Sequence, residues 1–232
     1  MYLLRLDRQM SAAMEYDRMM ADMGMRMDVP WTAADFFFTF AMWAVMMVGM
    51  MAASATPVIL LFAAMHRGRG GQRWPLVVFA FGAGYLLAWT SFSAGAALAQ
   101  WALHQAAMLS PMMKTSSTRL DGVILIAAGA YQFTPFKGDC LTHCRSPLGF
   151  LMSRWRDGTG GALRMGIEHG TYCLGCCWAL MCVLFVVGVM NLVWVAAMAI
   201  FVLIEKIAPA GTLVARVAGV AMITAGALAQ VF

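Results

Sequence analysis

The chain has 232 residues, of which 62% are hydrophobic and only 12% are charged. A soluble domain carries about 25% charged residues, so water is the wrong solvent for this surface, whereas lipid makes no such demand. The net charge of +5 does not indicate nucleic acid: no nucleic-acid motif accompanies it, and Lys and Arg collect in the cytoplasmic loops of membrane proteins.

Residues 1–33 form a polar, Met-rich tail with charges throughout. They lack the uninterrupted apolar run and small-residue cleavage site of a secretory leader, so no cleaved signal is expected. Residues 34–232 read as a single transmembrane helical domain. Its first span is predicted at 34–65, with a kink at Pro57. A basic loop from His66 to Arg73 separates it from a second span at 75–103. The linker 104–119 leads to a short third span at 120–136, which ends in the polar edge Tyr131-Gln132-Phe133-Thr134-Pro135-Phe136.

A polar segment follows at 137–168, and the Cys/His-containing region reaches residue 170. The stretch 169–207 is almost continuously apolar. As one straight helix it would run about 58 Å against a hydrocarbon core of about 30 Å, so it must break. Gly188 and Asn191 mark the turn between spans at 171–189 and 192–207, and a last span is predicted at 212–231. The expected fold is all-α: a polytopic transmembrane helix bundle of about six spans. The loops 66–74, 137–168 and 207–211 hold most of the Lys and Arg outside the tail, which puts them in the cytoplasm and both termini on the outer side. Asp35 and Glu205 sit at span edges and read as interfacial, with Lys206 snorkelling to the membrane surface.

All six Cys fall between Cys140 and Cys182, in two tight groups. In Cys140-Leu141-Thr142-His143-Cys144, a helix would place Cys140 and Cys144 one turn apart on one face, with His143 beside them. In His169-Gly170-Thr171-Tyr172-Cys173-Leu174-Gly175-Cys176-Cys177, Cys173 lies about 40° from His169 and Cys176 about 20° to the other side, so the three share a stripe edged by Cys177. Cys182 falls on the opposite face and reads as a buried apolar residue. Soft sulfurs with imidazoles suit Cu(I), with zinc as the other candidate. The bland alternatives are incidental loop cysteines and small-residue helix packing.

Met makes up 23 of the 232 residues. Met19, Met23 and Met27 in the tail recur at helical spacing, as do His104, Met108 and Met112 in the outer linker. Thioethers stay serviceable ligands where thiols would oxidise, so these six form a candidate outer metal relay. Met42, Met46 and Met50 in the first span read as core filler. No Ser/His/Asp triad, phosphate loop or catalytic carboxylate pair is present, so an enzyme is not expected. Two alternatives to metal handling remain: a membrane thiol–disulfide oxidoreductase using Cys173 and Cys176, and a non-catalytic subunit of a membrane complex.

The run Tyr131-Gln132-Phe133-Thr134-Pro135-Phe136-Lys137, the Cys140-x-x-His143-Cys144-Arg145-Ser146-Pro147 motif and the stretch from Gly161 to Trp178 resemble one bacterial family, as do Gly188-Val189-Met190-Asn191 and Glu205-Lys206. The resemblance covers about residues 35–230. Its members are metal-binding integral membrane proteins, and they include the accessory proteins encoded beside tyrosinase-type polyphenol oxidases, regarded as copper-delivery factors. The resemblance implies a bacterial inner-membrane protein that binds copper and delivers or translocates it. The receiver would be a copper-dependent oxidase or another membrane or periplasmic protein. It implies Cys140, His143, Cys144, His169, Cys173, Cys176 and Cys177 as metal residues. The Met-rich tail lies outside it.

Overall fold

The computed structural model describes residues 31–68, 74–106 and 117–231. Met19, Met23, Met27, Met108 and Met112, five members of the expected outer relay, lie outside the described residues. Every described element is helical: α1 Ala33–Gly68, α2 Trp74–Gln105, α3 Thr118–Tyr131, α4 Pro135–Arg145, α5 Pro147–Arg154, α6 Gly158–Cys182, α7 Leu184–Val187, α8 Leu192–Ile207 and α9 Gly211–Val231.

The helix starts have local chemical causes. Thr32 N donates to Asp35 Oδ2 at 2.8 Å and Asp35 N donates to Thr32 Oγ1 at 3.3 Å, a reciprocal cap that satisfies two orphan amides of α1. Thr134 Oγ1 accepts from Lys137 N, and Pro135 occupies the first helical position of α4, where its missing N–H is no loss. Asn191 Oδ1 accepts from the amides of Val193 and Trp194 to start α8. The break expected in 169–207 falls there: α7 ends on Gly188, whose φ of 95° excludes most side chains.

Among the described residues, four helices are long and apolar enough to cross a membrane: Ala33–Gly68, Trp74–Gln105, Gly158–Val187 and Gly211–Val231. Two of the expected six fall short. With 14 and 16 residues, α3 and α8 reach only about 21 and 24 Å against a core of about 30 Å. The polar segment 137–168 is not a loop but α4, α5 and the start of α6. There Arg164 Nε donates to Glu168 at 3.3 Å, one turn on, so α6 begins well before the predicted 171.

Glycines set the closest helix pairs. A Cβ on Gly84 of α2 would run into the backbone of Leu163 and Ile167, and one on Gly166 of α6 into the Phe81 carbonyl. The α3–α9 pair closes in the same way around Gly122, Gly129, Gly219 and Gly226. The main core gathers Trp43, Met47, Met51, Trp89, Cys173, Cys176 and Met181 from α1, α2 and α6. Large apolar residues such as Phe37, Phe38, Phe79, Leu192 and Val193 point outward, as a surface meant for lipid requires.

Candidate metal centre

The two cysteine groups meet where α4 lies against α6. Cys140 is buried against Gly175, which has no side chain to block the sulfur. One turn later, Cys144 brings its Sγ to 4.0 Å from Cys176 Sγ. On α6, Cys173, Cys176 and Cys177 are all buried. The thiols of Cys176 and Cys177 each donate to the Cys173 carbonyl at 3.0 Å. The cysteines of the stripe read from spacing thus lie together on α6, without the His169 ring, and Cys144 of α4 comes up to Cys176. All six cysteines are free thiols. Cys182 is half-buried and stands outside this core.

The imidazoles turn elsewhere. The His143 ring stacks on Tyr172 with centroids 4.4 Å apart and planes 3° from parallel, while its Nδ1 lies 2.9 Å from the Asp139 carbonyl. The His169 ring packs among Phe150, Tyr85 and Phe81 at 5.0, 6.0 and 6.2 Å. It is buried, and its Nδ1 has no hydrogen-bond partner. Among the described residues, no group of three or more His, Cys, Asp or Glu side chains is already set to hold a metal ion. The seven expected metal residues thus divide. Cys144, Cys173, Cys176 and Cys177 draw together, Cys140 packs beside them, and the two histidines are engaged with aromatic rings. His104 of the expected outer relay stands 5.2 Å from the Trp31 ring.

Charge enters from α8. Lys206 Nζ donates to Cys173 Sγ at 2.9 Å and to Ser54 Oγ at 3.2 Å. Tyr85 OH lies 3.1 Å from the same Cys173 sulfur. The preceding residue, Glu205, pairs with Lys137 of α4 at 2.5 Å. On α4, outside the long helices, hydrogen bonding to Cys173 and Cys176, followed by burial, pushes the Cys144 thiol well above its ordinary range. Burial also pushes the Cys140 thiol up. An ion that binds either sulfur must displace its proton.

A family model described as PpoB2, copper chaperone, matches residues 40–229. The chain belongs to the PpoB2 family. No curated protein and no solved structure matches it. The PpoB2 match spans both cysteine groups, α8 and the motifs from Tyr131 to Trp178 that carry the resemblance seen in the sequence.

The donor chemistry of this PpoB2 chain fits a soft ion. Two sulfurs stand 4.0 Å apart, within the reach of a pair of metal–sulfur bonds of about 2.3 Å each. A buried imidazole nitrogen one turn before Cys173 lacks a partner. The sequence reading missed Lys206, Tyr85, Ser54 and Lys137. It also placed Glu205 and Lys206 at the membrane surface, whereas both are buried, 1% and 9% exposed. The physical reason is that each finds a partner inside, Lys137 for Glu205 and the Cys173 sulfur for Lys206, so neither must reach water to be satisfied.

Proposed function

We propose that the chain binds copper as Cu(I) within the membrane and passes it to a copper-dependent partner enzyme, such as a polyphenol oxidase. The observation that carries this reading is the convergence of the Cys144 and Cys176 sulfurs at 4.0 Å, with Cys173 and Cys177 on the same helix stripe. Thiolates are the soft donors that select Cu(I). In this reading Cys144, Cys173 and Cys176 surround the ion, and two of them at a time bind it as thiolates. Cys177, Cys140, His143 and His169 are alternative donors that let it move by exchanging one soft ligand at a time. The Met groups of the tail and the outer linker capture it first, since thioethers bind Cu(I) without the redox liability of exposed thiols.

The proposed setting is a bacterial inner membrane with both termini outside and the α4–α5 segment at the cytoplasmic face. Four crossings or six both keep the two ends on one side, but the cytoplasmic α4–α5 segment belongs to the six-crossing version, in which α3 and α8 complete the bundle in locally thinned lipid. Reporter fusions at the two termini and within the α4–α5 segment would read this topology directly.

The central test is copper content of detergent-purified protein loaded with Cu(I) under reducing conditions. Cys173→Ser and Cys176→Ser are expected to lose the bound ion, and Cys182→Ser, outside the cluster, to keep it. Full copper content in the first two variants would end the sulfur-site reading.

A further inference from the structure

The buried ammonium of Lys206 is a positive charge placed against one sulfur of the cluster, that of Cys173. Its side chain is 9% exposed and donates to Cys173 Sγ and Ser54 Oγ. The other fully buried charges nearby, Lys137 and Glu205, pair with each other and cancel. Arg145 at the edge of the site is half-buried and turns its guanidinium to the carbonyls of Ala208 and Pro209. Among the described residues, Lys206 is the buried, uncancelled charge in hydrogen-bond contact with a cysteine sulfur, and a bound ion must complement it. A cation already in place repels an incoming one, and in a low-dielectric interior that repulsion is strong.

We propose that Lys206 is a specificity-determining residue that makes the cluster a site for a monovalent soft ion and weakens it for divalent ones. The inference rests on the copper reading above and deepens it. Two thiolates, one monovalent cation and the ammonium sum to neutrality, which a buried site tolerates. The same two thiolates with a divalent ion leave an uncompensated positive charge in an apolar interior, at a cost of several kcal/mol. A third thiolate could restore the balance for a divalent ion. To supply it, a third cysteine of the cluster must lose its proton as well, a step that the monovalent ion does not need. Softness alone does not separate Cu(I) from zinc, since both take thiolate. Charge does, and Lys206 supplies it.

The test compares Cu(I) and Zn(II) affinities of detergent-purified wild type and Lys206→Gln by chromophoric chelator competition. Gln keeps a donor for Ser54 and removes the charge. Lys206→Leu carries the same comparison if Lys206→Gln does not give monodisperse helical protein. The expected result is weaker Cu(I) binding, tighter Zn(II) binding and a fall of about tenfold or more in the ratio of the two affinities. A purely structural role would weaken both ions together, and an unchanged ratio overturns the proposal. The copper reading fails separately: it falls if the wild type itself holds no Cu(I), whereas a wild type that holds Cu(I) beside an unchanged ratio overturns only the role of Lys206.

Discussion

The ammonium of Lys137 and the carboxylate of Glu205 meet at 2.5 Å with side chains only 2% and 1% exposed. This pair joins α4, which carries Cys140 and Cys144, to α8, which carries Lys206. It therefore fixes the two elements that approach the α6 cysteines from outside. Lys137 also donates to Gln132 Oε1, so the pair is part of a small buried network.

Removing one partner strands the other charge in an apolar interior, at a cost of about 3–5 kcal/mol. Lys137→Met is expected to destabilise the protein by that much in a denaturant or thermal titration in detergent micelles. The double variant Lys137→Met with Glu205→Met should recover most of the loss. A double variant as unstable as the sum of the two singles would show that the two charges do not depend on each other.

The α2–α6 interface offers a test within a single helix. Gly82 and Gly84 both lie on α2, yet a Cβ on Gly82 meets nothing within 4 Å while one on Gly84 strikes the backbone of α6. Gly84→Ala must push the helices apart and is expected to cost about 1–3 kcal/mol or more. Gly82→Ala should be neutral or gain up to about 1 kcal/mol from helix propensity. Equal melting temperatures for the two variants would refute the close approach.

What the sequence made legible is what local geometry determines. The break near Gly188 and Asn191 follows from the length of the apolar stretch and two residues suited to a turn. The Cys173–Cys176–Cys177 stripe follows from 100° per residue. The placement of the histidines does not, because the rings that take His169 come from other helices: Phe81 and Tyr85 from α2 and Phe150 from α5. Lys206 was hidden for the same reason. Read locally it is a span-end lysine that snorkels, but its partners, Cys173 and Ser54, are 33 and 152 residues away. The count of crossings blurred where α3 and α8 are apolar yet too short, since hydropathy marks a segment as buried without saying whether lipid or protein covers it.

Met47 and Met51 are fully buried on α1 in the core that also holds Cys173 and Cys176. Read as packing, they should tolerate a volume-conserving exchange. Met47→Leu and Met51→Leu are each expected to cost less than about 1.5 kcal/mol and to leave the copper content unchanged. Loss of copper without loss of stability would instead make these thioethers ligands, and metal analysis beside a melting curve separates the two results.

The turn between α7 and α8 combines two independent devices, and each can be weighed. Gly188 holds φ at 95°, a conformation that a side chain makes costly, so Gly188→Ala is expected to destabilise by about 1–3 kcal/mol. Asn191 accepts from the Val193 and Trp194 amides, and Asn191→Ala should cost about 0.5–2 kcal/mol through loss of that cap. Asn191→Asp retains an acceptor oxygen and should recover most of the stability. The two effects act on adjoining backbone but by different means, so the double variant Gly188→Ala with Asn191→Ala should lose roughly the sum. Thermal unfolding of the four variants in one detergent checks all of this. A neutral Gly188→Ala would mean that the chain passes from α7 to α8 without the positive φ, and the helix break would then have to be relocated.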